Sequence, residues 1–248
     1  MAEEITLGLC TSGARLKVSV LAGGRFFQAR KKVFNQERFL FPLVKRELKK
    51  AGAELRGVTA VCAARGPGRF TGIRISLTLA GALKALAGAR VYTATLFEIL
   101  ALQAVESAHF RAWAKESGGT RLAVLLHAFK DEYFCQFFAA GELPKPEGEP
   151  VWLKEEEMRK LLPGTGAPFY AIADAEEAPG IYGLLPGNAV KAPPALSKII
   201  PAYLIKAALA YKNKTLKPLY LKPAKYETEN NTVENRKSKI GNRGQENY

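Results

Sequence analysis

Ala64-Arg-Gly-Pro-Gly-Arg-Phe-Thr-Gly-Ile-Arg74 joins a short unbroken apolar run, Val58-Thr-Ala-Val-Cys-Ala-Ala64, to a longer apolar stretch from Ile73 to Ala87. A buried strand, a glycine-rich turn and a helix in that order form an α/β unit. Gly66, Gly68 and Gly72 permit positive φ and close backbone approach. The free N–H groups and the positive dipole end at the start of the following helix favour phosphate or carboxylate. Arg65, Arg69 and Arg74 add formal charge, and Arg74 falls in the first helical turn, where a cation costs about 0.3 to 1 kcal/mol unless it has a negative neighbour. An acidic group is therefore expected beside it. The same glycines also suit a plain tight turn, with Arg74 paired to a carboxylate of the fold. No Gly-Lys-Ser/Thr follows, so the loop is not a Walker A loop, and the spacing is not the GxGxxG of a Rossmann unit.

Working outward, Ile5 to Cys10, Arg15 to Leu21 and Arg25 to Arg30 read as strands, the last two reversed by Gly23-Gly24. Gln36 to Ala51 has the spacing of an amphipathic helix ending at Gly52, with Pro42 near its first turn or at a kink. Beyond the loop, Arg90 to Thr93 reads as a strand and Leu96 to Val105 as an apolar helix. A second lobe follows, with strands expected at Arg121 to Leu126 and Tyr133 to Phe138. Residues 141 to 195 are dense in Pro and Gly, which predicts only short regular pieces. A helix around Ser197 to Tyr211 and a strand at Pro218-Leu-Tyr-Leu221 close the domain, and Glu227 to Tyr248 reads as a disordered basic tail. No internal repeat at a fixed period is found.

The chain has 248 residues and 37 Lys plus Arg against 23 Asp plus Glu, a net charge of +14. Residues 1–100 carry +11, residues 101–200 carry −3 and the rest +6. The excess sits at the two ends, so a polyanion or an acidic partner has to be considered. Cys10, Cys62 and Cys135 are odd in number and embedded in apolar runs, which suits a reducing cytosol rather than a disulfide framework. Two histidines, His109 and His127, do not supply an HExxH or His-rich zinc site, and no metal site is expected. The first residues lack the pattern of a secretory signal. The most apolar stretch is cut by Lys84 and Arg90 before the roughly 20 residues that span a bilayer. A cytoplasmic protein without a membrane role is expected.

The strand-loop-helix stretch resembles the GRGPGSFTGxR hallmark of the bacterial TsaB (YeaZ) family, reading ARGPGRFTGIR here. Thr11-Ser12 after the first strand, the hairpin that follows, NQERFLFPLVKRELKKAG before the loop and Pro218-Leu-Tyr-Leu221 near the end agree with it. The agreement covers residues 5 to 105 well. The resemblance implies an α/β, actin/Hsp70-like (ASKHA, ribonuclease H-like) fold of two lobes, residues 1–103 and 104–226, with the last helix and strand returning to the first lobe. It implies a non-catalytic scaffold and activator of a TsaD-like homologue, which does the chemistry of threonylcarbamoyl transfer to the adenosine beside the tRNA anticodon. A TsaE-like ATPase assists, tRNA is met through the complex, and a homodimer is a further option. Candidate loop residues for an anion or nucleotide are Thr11, Ser12, Arg65, Gly66, Gly68, Arg69, Thr71, Gly72 and Arg74. Candidate partner-interface residues are Ile73, Leu77, Ala80, Gly81 and Lys84, on a helix with almost no polar face, which must be buried nearly all round.

Departures from the family pattern bear on chemistry. In nucleotide sites of this fold an Asp precedes Thr-Ser and helps place magnesium, whereas here the residue is Cys10, a poor ligand for a hard cation. The family's DAR-like segment appears as His127-Ala-Phe129 and its GDG-like turn as Ala173-Asp-Ala175. No cofactor of its own is therefore expected, with ATP or ADP placed, if anywhere, at a subunit interface, and no catalytic residue is assigned. Two other classes stand beside the scaffold: an independent small-molecule kinase or peptidase, for which no Ser-His-Asp or metal constellation can be assembled, and direct tRNA binding through the basic ends.

Overall fold

The computed structural model describes residues 4–162 and 166–222, so the expected tail at 227–248 lies outside the described residues. In the first lobe, Thr6–Cys10 (β1), Arg15–Ala22 (β2), Arg25–Lys32 (β3), Ala60–Ala64 (β4) and Arg90–Ala94 (β5) form one sheet of order β3-β2-β1-β4-β5. β1 runs antiparallel to β2 and parallel to β4, with Leu9 opposite Val18 and Leu7 opposite Val61. Every residue of β1 and β4 is buried, which is why these strands read as unbroken apolar runs rather than alternating ones. Gly23 and Gly24 take φ of 54° and 72° in the two-residue turn between β2 and the edge strand β3.

The second sheet holds Arg121–Phe129 (β6), Glu132–Ala139 (β7), Lys145–Lys154 (β8), Phe169–Ala173 (β9) and Ala189–Lys191 (β10), in the order β10-β9-β6-β7-β8. Its pairings copy those of the first: the leading strand is antiparallel to the second and parallel to the fourth. The two lobes thus repeat in topology without repeating in sequence.

Helices Gln36–Lys50 (α1) and Phe70–Ala87 (α2) cover one face of the first sheet, where Leu40, Val44, Leu48, Ile73, Leu77 and Leu83 pack on Leu7, Leu9, Val18 and Val61. The other face is covered by Ala202–Tyr211 (α6), which meets β1, β2, β4 and β5. Leu96–Val105 (α3) lies between α6 and the second sheet, Ala108–Ser117 (α4) follows it, and Glu155–Leu161 (α5) covers the second sheet's outer face through Met158. One apolar cluster containing Cys10, Cys62, Ile99, Leu122, Tyr170 and Leu204 runs through both lobes. Two mixed five-stranded sheets of matching connectivity, with helices between and outside them, constitute the actin/Hsp70-like (ASKHA, ribonuclease H-like) fold expected above.

Several elements differ from the sequence reading. α2 begins at Phe70, not Ile73, so Gly72 is helical. The last helix starts at Ala202, after Pro201, instead of near Ser197. Pro42 lies inside α1, in its second turn and on the exposed face. Pro218 to Leu221 is not a strand, although the Leu219 N–H donates to the Arg65 carbonyl at 2.7 Å. The Pro-rich segment contains β8, ten residues long despite Pro146 and Pro150; it is an edge strand, where a missing N–H breaks no central ladder. α2 is long and apolar enough to cross a membrane by length and composition, yet Ile73, Leu77, Ala80 and Leu83 are core residues. Burial pushes the Cys62 and Cys135 thiols up to about 12, leaving them inert packing groups.

Candidate functional site

The glycine-rich loop meets the end of β1 so closely that the glycines are needed for packing. A Cβ on Gly72 would lie 2.0 Å from the Thr11 carbonyl oxygen, and one on Gly68, at φ 151°, would lie 2.5 Å from that of Ser12. The Arg69 N–H donates to the Ser12 carbonyl at 2.8 Å, and the Thr11 hydroxyl donates to the Gly72 carbonyl. Gly66, at φ 109°, accepts from the Leu96 N–H at 2.7 Å. Much of the loop backbone therefore bonds to the protein itself. Arg65 tucks inward, its Nε buried without a hydrogen-bond partner. Among the described residues Arg74 forms no ion pair, although Glu37 lines the same groove between α1 and α2: its Nε donates to the Tyr220 hydroxyl at 3.0 Å and its guanidinium lies 3.8 Å from the Phe70 ring, which stacks on Tyr220. The acidic neighbour expected at this position is replaced by a phenol and an aromatic face.

Of the nine loop candidates, Ser12, Gly68 and Arg69 line a cavity of about 500 Å³ between the lobes. Thr11, Arg69, Thr71 and Gly72 line a smaller one of about 250 Å³ beside the starts of α1 and α2. Arg65 and Gly66 lie within the loop's packing, and Arg74 lines neither cavity. From the second lobe the larger cavity receives His127, Phe129, Asp174 and Glu177, so the two segments that depart from the family pattern do border it.

What fills the position of an anion is a carboxylate of this chain. Glu177 Oε2 accepts the Ala14 N–H at 2.8 Å and Oε1 the Arg15 N–H at 3.2 Å, on the turn between β1 and β2. Lys17, 1 % exposed, places its ammonium 3.8 Å from Glu177 and 3.9 Å from Asp174. Glu176 pairs with Arg15 at 3.3 Å and with Arg30 at 3.0 Å. A nucleotide phosphate does not fit at Ala14 and Arg15: both N–H groups are taken by Glu177, and the Asp174 carboxylate lines the same cavity. Cys10, fully buried with Sγ 3.2 Å from the Ser12 hydroxyl, offers no oxygen for magnesium. Among the described residues no three His, Cys, Asp or Glu side chains gather as metal ligands. Lys17 and Glu177 carried no motif, and only the pairing of β2 with β1 and the turn after β9 bring them together.

Burial raises the Asp174 carboxyl to about 6 against the opposing pull of Lys17, with Glu177 and Glu176 adding to the rise. The folded state thus holds a proton between about pH 4 and 6 that the unfolded chain releases. Its stabilising contribution is complete below pH 4 and falls by up to about 3 kcal/mol as pH rises to 7. Asp174→Asn removes this dependence, so urea titrations at pH 4.5 and 7 should show the variant gaining on the wild type as pH rises. A difference that does not change with pH would contradict the raised value.

The outer surface carries a second feature. Between α1 and α2 lies a groove of about 380 Å³ in which Leu40, Phe41, Ile75, Leu79 and Ala82 are joined by the charged Glu37 and Arg74. Phe41 is 46 % exposed, and Leu86, further along α2, is 88 % exposed. Three of the expected interface residues are corrected by this geometry: Ile73, Leu77 and Ala80 face inward onto the first sheet and are closed to a partner. Lys84 is exposed, and Gly81 is half-buried against Leu216. The helix is not buried all round; its open face is that of Thr71, Ile75, Thr78 and Ala82.

Residues 35–134, which contain both groove helices and the loop, match the family described as TsaD, tRNA N6-adenosine threonylcarbamoyltransferase. No curated protein matches the chain by sequence. Among solved structures, a Pseudomonas aeruginosa protein described as similar to peptidase YeaZ superposes with a TM-score of 0.67 at 23 % identity, over 88 % of this chain and 100 % of that one. YeaZ from Pseudomonas aeruginosa gives 0.66 at 23 % identity over the same shares. The chain has the YeaZ fold. The likeness in fold thus extends over 88 % of the chain, well beyond the ARGPGRFTGIR stretch and into the second lobe.

Proposed function

We propose that the chain is a non-catalytic scaffold and activator in synthesis of threonylcarbamoyladenosine at the tRNA position beside the anticodon, docking a TsaD-like catalytic homologue. The observation that carries the reading is the α1–α2 groove: a largely apolar surface groove within residues 35–134, on a molecule whose β1–β2 turn is already bound by its own Glu177. The matched family is described as a transferase, and we place the transfer in the partner because the β1–β2 turn here is bound to an internal carboxylate. A TsaE-like ATPase, ATP or ADP at a subunit interface, tRNA reached through the complex and a cytoplasmic setting belong to the same reading. The kinase and peptidase readings gain no activated nucleophile from the geometry.

Size exclusion with light scattering of the chain and its cognate TsaD-like protein tests this. A heterocomplex is expected, and Ala82→Glu, which places a charge in the groove, should raise its Kd thirtyfold or more, about 2 kcal/mol. Lys115→Glu on α4 should leave it unchanged. Modification of a tRNA transcript that proceeds equally without this chain, or wild-type elution as a homodimer insensitive to the partner, would sink the reading.

A further inference from the structure

The sequence left the +11 charge of the first hundred residues unexplained, since RNA recognition needs aromatic rings among the cations. The structure supplies that arrangement along β3 and the start of α1. On β3, Arg25 lies over the half-buried Phe27 ring at 5.6 Å, and Lys31 lies over Phe39 of α1 at 4.4 Å. Phe39 is 38 % exposed, and Phe34, in the link between β3 and α1, is 101 % exposed. Lys32 at the end of β3 and Arg38 in the first turn of α1 are also exposed and form no ion pair among the described residues. Further along the same side of α1, Arg46 and Lys50 both hold the buried Glu47, which neutralises one of them and leaves the outer surface positive.

The geometry points to this β3–α1 region as a binding surface for RNA with unpaired bases, the cations meeting phosphates and the open ring of Phe34 stacking a base. Charge alone would suit an acidic protein equally. The exposed Phe34 ring decides for RNA, because every base offers a π-face to stack on it. The surface stands apart from the proposed scaffold role, because it concerns what the isolated chain binds.

Fluorescence anisotropy of the full chain with an unmodified tRNA transcript decides it. Binding should weaken roughly 100-fold between 50 and 200 mM salt, as about four phosphate contacts require. Lys31→Ala/Lys32→Ala/Arg38→Ala should lose tenfold or more at low salt and flatten the salt slope. Phe34→Ala, at a site with nothing to unfold, should lose severalfold for the transcript but not for a blunt RNA duplex. Lys115→Ala/Lys160→Ala, a charge loss on the second lobe, should change little. Equal loss in both charge sets, an unaffected Phe34→Ala, or competition by poly-glutamate as strong as by RNA would overturn the proposal, the last by making the face a dock for an acidic protein.

Discussion

Gly72→Ala should abolish a stable fold or lower its stability by about 3 kcal/mol or more, whereas Gly81→Ala nine residues along the same helix should raise it by about 0.5 to 1 kcal/mol. Both glycines are helical, and the change removes the same backbone freedom from the unfolded chain. What differs is the space. At Gly72 the new methyl meets the Thr11 carbonyl oxygen at 2.0 Å, a backbone atom at the end of the central strand β1 that also accepts no displacement from the helix, because the Thr11 hydroxyl ties the two together. At Gly81 the nearest atom is Leu216 Cδ1 at 3.6 Å, an ordinary contact. Against a typical stability of about 5 to 15 kcal/mol, the first change is severe and the second mild. Urea midpoints measure both. A Gly72→Ala variant within 1 kcal/mol of wild type would mean that the loop does not seat on Thr11 as described.

That contrast also indicates what the sequence could and could not convey. The strand-loop-helix unit, the opening hairpin and the first sheet were legible because their cues are local: unbroken apolar runs for central strands and Gly23-Gly24 for the reversal. The glycines of the loop were legible as a need for small residues, but the reason is contact with Thr11 and Ser12, sixty residues away in sequence and invisible to any local pattern. The exposed face of α2 was hidden in the sequence for a related cause. An apolar helix offers no polar side to orient it, so Ile73, Leu77 and Ala80 could not be told from Ile75, Thr78 and Ala82 until β1 and β4 were in place beneath it. In the second lobe β8 was hidden by prolines that only an edge position tolerates. The cleft was least legible of all, since Lys17, Asp174 and Glu177 come from two lobes and belong to no motif.

Lys17→Met should destabilise the protein by about 3 to 5 kcal/mol, the largest loss expected from removing a single charge here. The ammonium is buried between Asp174 and Glu177, and its methylene stem would be replaced by a side chain of similar length, so packing changes little while the charge disappears. Glu177 keeps the Ala14 and Arg15 N–H donors and the Arg15 guanidinium. Asp174 keeps less: its Oδ1 already lacks a partner, so without Lys17 it becomes a buried carboxylate facing two others. The loss should therefore be largest above pH 6, where Asp174 is ionised, and smaller near pH 4.5, where it carries a proton. Adding Asp174→Asn to Lys17→Met should recover more than half of the loss at pH 7, and a double-mutant cycle from urea titrations measures that coupling. Additive effects of the two changes would show that Lys17 serves Glu177 alone. In that case the latch between the lobes would rest on the β1–β2 turn rather than on the buried triad.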